Sequence, residues 1–195
     1  MPTSRYCRVT LLSAALASLM IAQPAPSRFA MAAEKLVPAE KNPPGDIPDT
    51  QVFIDYISKD GFSLKVPEGW ARTDRTDGAS FVDKLDGVVL TQSDAAQAPT
   101  VESVRKDYIP ALDKEERAAT IDSIKALKLP AGNVIRIIYK SNSAPNAVTN
   151  KQVRLENQRF LYFRNGKLVT LELYAPFGAD NVDQWKLMSE SFRWR

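Results

Sequence analysis

The chain of 195 residues has no histidine and a single cysteine, Cys7, placed in an N-terminal export-like segment. From residue 33 onward neither residue type occurs. This excludes thiol nucleophiles, imidazole bases, Cys/His metal sites and disulfides from the part expected to fold. Carboxylates, Tyr, Ser/Thr and Lys/Arg are the chemical groups that remain.

The sequence also lacks an apolar run of membrane-spanning length. Arg5 and Arg8 precede an apolar stretch from Val9 to Ala22, shorter than the roughly 20 residues a spanning helix needs. A short Pro-rich stretch and the small-x-small triplet Ala30, Met31, Ala32 follow. Basic, apolar and small-residue regions in this order read as a secretory signal peptide over residues 1–32, cleaved near Ala32. The processed form is then periplasmic or secreted and has no transmembrane span. Cys7 precedes the apolar stretch, whereas a lipid-modified cysteine would follow it, so the pattern is not that of a lipoprotein.

An excess of charge of one sign is missing as well. The full chain has 26 Lys plus Arg against 23 Asp plus Glu, but Arg5, Arg8 and Arg28 all precede residue 33, which leaves 23 of each. Without a basic field or a nucleic-acid motif, no nucleic-acid partner is expected. Residues 33–195 are enough for one domain with a core that is stable without staples.

Residues 33–50 contain Pro38, Pro43, Pro44 and Pro48 among alternating charges. Proline removes backbone donors and disfavours helix at the preceding residue, so this segment reads as an extended linker. It serves as a spacer or as a partner-docking arm. The domain then occupies residues 51–195. Val52, Ile54 and Tyr56 alternate, Asp60 and Gly61 supply a turn, and Phe62, Leu64 and Val66 alternate again, which predicts an antiparallel hairpin. Ser80–Leu85 and Val88–Ser93 predict a second hairpin around Asp86 and Gly87. Val101, Val104, Tyr108 and Leu112 share one face of a helix that Thr100 caps.

The stretch Ile121–Leu129 is open between strand and short helix. Val134–Lys140, Val153–Phe163 and Leu168–Tyr174 are strands rich in β-branched and aromatic residues, and Asn165 with Gly166 makes a tight turn between the last two. A final helix follows, with Asp180 as N-cap and Val182, Trp185, Met188, Ser189 and Phe192 on one stripe. There is no phosphate-binding glycine loop, heptad repeat or duplicated segment. The expected class is α+β: one domain, an α-β-α sandwich with a central antiparallel sheet.

Tyr56, Asp60, Gly61, Phe62, Ser63, Leu64, Pro67, Glu68, Gly69 and Trp70 together resemble the opening of the PsbP and Mog1-like superfamily. Members commonly start with a tyrosine, a Gly-Phe-Ser strand and a Pro-x-Gly-Trp exit. The resemblance continues through the helix at Val101–Leu112, the strands around Asn165 and Gly166, and the ending Ser191, Phe192, Arg193. It covers Val52–Arg195 and implies the same α-β-α sandwich. Photosynthetic members tune metal and chloride retention, and Mog1-like members bind a small GTPase. The metal-linked histidines of the plant protein have no counterpart here, and export argues against a GTPase partner. The resemblance implies an exported bacterial PsbP-like protein: a non-enzymatic interaction or accessory module that binds a protein or envelope component.

Two sets of residues are candidates for a site. Lys151, Arg154, Arg159, Arg164 and Lys167 lie on two linked strands and could meet an acidic partner or an anionic envelope surface, although their parity divides them between both faces. Asp74, Asp77, Asp83 and Asp86 fall close together and could provide oxygen ligands for Ca²⁺ or a proton donor and acceptor for hydrolysis. Their spacing is not that of an EF-hand loop, and solvated turn acids account for them without a site. Asp180 and Asp183 are accounted for by helix capping. Tyr139, Tyr162 and Tyr174 have no placed base, and no SxxK signature supports acyl transfer.

Overall fold

The structure, a computed structural model, describes residues 34–195, so the expected signal segment and its cleavage position lie outside the described residues. The strands are β1 Phe53–Ile57, β2 Phe62–Pro67, β3 Ala71–Arg75, β4 Gly78–Asp83, β5 Asp86–Asp94, β6 Arg117–Leu129, β7 Gly132–Asn142, β8 Arg154–Arg164, β9 Lys167–Pro176 and β10 Arg193–Trp194. Between β5 and β6 runs a helix in three joined pieces: α1 Val101–Ser103, a π-helical stretch Val104–Tyr108, and α2 Ile109–Glu115. The last helix is α3 Val182–Ser191. Strands β3-β4-β5-β9-β8-β7-β6 form one seven-stranded antiparallel sheet, and β1-β2-β10 form a small second one.

Strand alternation divides the large sheet into two apolar faces. Val88, Leu90, Leu171, Leu173, Phe160 and Tyr162 face the small sheet and α3, where Phe62, Leu64, Trp185 and Met188 meet them. The ring of Phe192 stacks between Phe62 and Tyr162, with centroids 5.4 and 4.0 Å away. The Tyr162 hydroxyl donates to the Ser189 carbonyl at 2.7 Å, so its polar end is satisfied inside the core. On the opposite face Ile135, Ile137, Tyr139 and Leu161 pack under Val104 and Leu112 of the first helix. The fold is thus the α+β sandwich the sequence predicts, with its large sheet in the middle. No helix among the described residues is long and apolar enough to cross a membrane.

Local chemistry accounts for these elements. Thr100 accepts from the Ser103 amide and Ser103 returns a bond to the Thr100 amide, a reciprocal cap that starts the first helix. Pro110 lacks an amide hydrogen, and the preceding turn shifts to π spacing, with Ile109 N–H reaching the Val104 carbonyl. Asn165 and Gly166 have φ of 50° and 77°, the left-handed angles a two-residue hairpin turn requires. The undecided stretch Ile121–Leu129 lies within β6, which pairs with β7 along most of its length. That pairing outweighs its Lys/Ala/Leu content.

Three expectations need correction, and two strands were missed. The second hairpin exists, but Asp83 pairs with Asp86, so the turn falls at Lys84 and Leu85 while Asp86 and Gly87 belong to β5. Gly87 is required for a different reason: a Cβ there would lie 2.1 Å from the Tyr174 ring. The N-cap of α3 is Asn181 rather than Asp180, and its amide bonds elsewhere instead of capping. Val182, at the open end of that helix, is 70% exposed and leaves the stripe that Trp185, Met188 and Phe192 bury. Strands β3 and β10 were not legible, since β3 is exposed at every position and β10 has only two residues.

Residues 34–52 contain no helix or strand, yet they run along the domain as a strap. At one end Val37 N–H donates to Asn142 Oδ1, and Asn142 Nδ2 donates to the Lys35 carbonyl. Glu34 accepts from Gln152 and pairs with Arg117 at 3.1 Å. At the other end Ile47 is buried in the larger core and its amide donates to Asn181 Oδ1, while Asn181 Nδ2 donates to the Gly45 carbonyl. Proline-imposed extension leaves the backbone donors and carbonyls of this segment free for side chains such as Asn142 and Asn181.

Candidate functional site

The first helix covers the large sheet only in part, and α2 ends at Glu115 before reaching the end of β8 and β9. The uncovered part is a polar cleft of about 730 Å³. Its floor is Leu155 and Asn157 of β8 with Glu172 and Tyr174 of β9. Glu115 and Glu116 form one wall, Lys84 and Leu85 of the β4–β5 turn another, and the loop between β7 and β8 with Glu40 of the strap closes the rest.

Register places an ion-pair cluster beside the floor. Arg159 and Glu172 are direct partners across β8 and β9, and Ile137 flanks Arg159 on the other side. Arg159 is 8% exposed. Its Nη2 lies 2.6 Å from Glu116 Oε1 and 3.1 Å from Glu172 Oε2, and its Nη1 donates to the Tyr108 hydroxyl at 3.3 Å. The Tyr139 hydroxyl sits 3.1 Å from Glu116 Oε1 and also hydrogen-bonds Glu172. It has one proton and donates to one carboxylate at a time. Two half-buried carboxylates therefore share one guanidinium and one phenol.

The protonation equilibria follow from this geometry. Burial pushes the Glu116 carboxyl above its ordinary range and the Glu172 charge adds to the push, against the attraction of Arg159. Burial likewise raises the Tyr139 phenol, helped by the Glu172 carboxylate, so Tyr139 stays protonated and is a donor, not a nucleophile. For Arg159 burial works against the charge, but Glu172 and the neighbouring phenols outweigh it and the guanidinium stays charged. Asn157, 2% exposed, donates from Nδ2 to Ser141 Oγ at 3.0 Å and makes a longer contact with the Tyr139 carbonyl. Its Oδ1 accepts no hydrogen bond from the described residues.

The five basic candidates do not form one surface. Arg159 is the buried centre just described. Arg154 is also buried and donates to the Ala118 carbonyl, Asn142 Oδ1 and Thr120 Oγ1 at 2.8 to 3.0 Å. Arg164 and Lys167 face each other beside the Asn165–Gly166 turn, with Lys167 paired to Asp94 at 2.6 Å. Lys151 alone of the five lines the cleft. Alternation and register separate these residues, as strand geometry requires.

The four aspartates do not converge either. Asp74 pairs with Arg72 at 2.8 Å and Asp77 with Arg75 at 3.4 Å, along the exposed edge at β3. Asp83 and Asp86 lie at the other end of the β4–β5 hairpin. Asp86 is 5% exposed beneath Gly45 of the strap, and its Oδ1 has no partner. Burial raises its carboxyl to about 7, with the charges of Asp83 and Asp46 adding to the effect. Among the described residues no three acidic side chains gather as a metal's ligand set. The acids that do meet, Glu116 and Glu172, escaped the sequence reading. The turn held the clue to one of them: counting outward from Asn165–Gly166 puts Arg159 opposite Glu172.

With this geometry in hand, the chain was compared with known proteins. No family model and no curated protein matches it in sequence. Its shape, however, matches the solution structure of cyanobacterial PsbP from Synechocystis sp. PCC 6803 with a TM-score of 0.57, at 15% identity over 77% of this chain and 98% of that one. That likeness is one of fold. The Saccharomyces cerevisiae Ran-binding protein Mog1p is similar at a TM-score of 0.50 and 7% identity, over 73% of this chain and 95% of that one. At these identities the PsbP/Mog1-like likeness concerns architecture alone.

Proposed function

We propose that this protein is an exported bacterial PsbP-like accessory module that holds a protein or envelope component in its polar cleft and makes or breaks no covalent bond. One observation carries the reading. Glu116 and Glu172, which line the cleft, are both tied to the buried Arg159 beside it, with Tyr139 kept as a donor, which builds a rigid charged recognition surface rather than a free acid and base. The fold supports it, since the yeast protein of the same shape is a Ran-binding protein. Export through a signal segment ending near Ala32 delivers the domain to the periplasm or beyond, and the strap forms part of the binding wall.

The alternative, a weak Ca²⁺ site or a hydrolase built on Asp74, Asp77, Asp83 and Asp86, has less support. Two of the four are tied to arginines and the other two sit at the opposite end of the hairpin. The test is crosslinking and capture from envelope extract with the purified protein, its Ala144→Trp variant, which fills the cleft from an exposed position, and an Arg164→Glu/Lys167→Glu variant. The expected result is a reproducible component lost only with Ala144→Trp. Turnover of a substrate at an enzymatic rate, abolished by Glu172→Gln, would overturn the non-enzymatic reading.

A further inference from the structure

Another cavity, of about 340 Å³, lies on the opposite face of the large sheet, between α3 and the strands β6, β7 and β8. Register builds its floor, where Arg136 of β7 stands between Lys125 of β6 and Phe160 of β8. Alternation puts Arg136 on the same side as Val134 and Phe160, the side that α3 covers. Leu127, Phe160 and Trp185 supply apolar walls, and Val182, the exposed residue at the start of α3, lines the cavity's outer part.

Nothing in the structure answers the charge of Arg136. The residue is half-buried, and its Nε is shut away from water without a hydrogen-bond partner. It forms no ion pair with the described residues. Directly across β6 stands another cation, Lys125, a pairing that strand geometry disfavours. An arginine that only covered the core would send its guanidinium to water or to a carboxylate. Lys128 and Lys186 line the same cavity, also without ion pairs among the described residues, against the single acid Glu190.

A ligand that completes this arrangement brings negative charge and two acceptors for the side edge of a guanidinium, formed by Nε and one Nη. The rest of it lies against Phe160 and Trp185. We infer that this cavity binds a small free carboxylate with a short hydrocarbon body, its two oxygens on Arg136 and its charge reinforced by Lys128 and Lys186. The volume is at the small end for ligand pockets, which run from about 300 to 1,000 Å³. A hydrocarbon body suits these walls better than the end of a peptide, whose amides need partners, and the Ser189 hydroxyl already donates to the Lys186 carbonyl. The site is separate from the polar cleft and goes beyond the accessory-module reading.

The experiment is calorimetric titration of the purified protein with octanoate below its micelle-forming concentration. Octanamide, acetate and N-acetyl-Gly-Gly-Leu are the comparison ligands. Octanoate should bind at one site. Octanamide lacks the charge and acetate the apolar body, so each should bind at least tenfold more weakly, and so should the peptide. Arg136→Gln should weaken octanoate at least tenfold, and Lys186→Glu, at an exposed position, should weaken it several-fold. Ala144→Trp, in the polar cleft, should leave it unchanged. The amide comparison needs no variant, so it decides the matter even if Arg136→Gln fails to fold. Equal binding of octanoate and octanamide, no binding of octanoate, or full binding by a folded Arg136→Gln protein overturns the inference. Acetate as strong as octanoate overturns the hydrocarbon body, and the peptide as strong as octanoate overturns the assignment to a free acid.

Discussion

Replacing Asp86 with asparagine should stabilise the protein, and the gain should grow with pH. The carboxyl is 5% exposed, its Oδ1 has no partner, and the strap closes over it so tightly that a Cβ on Gly45 would stand 2.8 Å from that oxygen. Burial, then the charges of Asp83 and Asp46, hold the folded carboxyl at about 7, whereas an unfolded aspartate titrates at about 3.9. Between these values the folded chain keeps a proton that the unfolded chain releases. Stability is then fully present below about pH 4, falls by up to about 1.4 kcal/mol per pH unit as pH rises, and levels off above 7. Asparagine has the same shape and no proton to lose. Its advantage over aspartate should therefore grow by about 2 to 3 kcal/mol between pH 5 and pH 8. Urea denaturation of both proteins at the two pH values measures this directly, because other titrating groups cancel in the difference. An advantage that is the same at both pH values, or an Asp86→Asn variant less stable at pH 8, would refute the reasoning.

Three further substitutions probe the rest of the structure. Arg159→Met leaves the half-buried Glu116 and Glu172 without their cation and should cost up to about 3 kcal/mol at neutral pH, with a smaller loss in acid where Glu116, its carboxyl already raised by burial, takes up a proton; denaturation at both pH values reads it. Phe192→Ala removes the ring stacked between Phe62 and Tyr162 and should cost about 3 to 5 kcal/mol, measured as a lower urea midpoint with unchanged slope. Asn181→Ala releases the Gly45 and Ile47 bonds of the strap, so limited proteolysis should cut within residues 34–47 faster than in the unsubstituted protein while the domain survives.

The sequence made the architecture legible where local chemistry and tertiary demand agree. Asn165–Gly166 can enter left-handed angles and the strands on either side alternate, so that hairpin and its register follow directly. Thr100 starts a helix that the core also needs. Legibility failed where tertiary contact decides. Gly87 resembles a turn residue but exists to admit the Tyr174 ring, and Asp180 resembles an N-cap although Asn181 holds that position and spends its amide on the strap. The proline-rich segment reads as a free spacer because its anchors, Asn142 and Asn181, lie 105 and 134 residues further along the chain from the groups they hold. The site was less legible than the fold. Arg159 was singled out as a surface contact, yet the helix end at Glu116 and the strand at Glu172 enclose it, and only Glu172 could be reached by counting from a turn.

The cleft as the recognition surface is tested most directly by site-specific photocrosslinking of the protein in its native envelope. One benzophenone side chain is placed at Ala144, on the cleft wall, and in a second protein at Arg164, beside the distant hairpin turn. A discrete crosslinked product from position 144 and none from position 164 is the result expected here. Products from position 164 alone would contradict it.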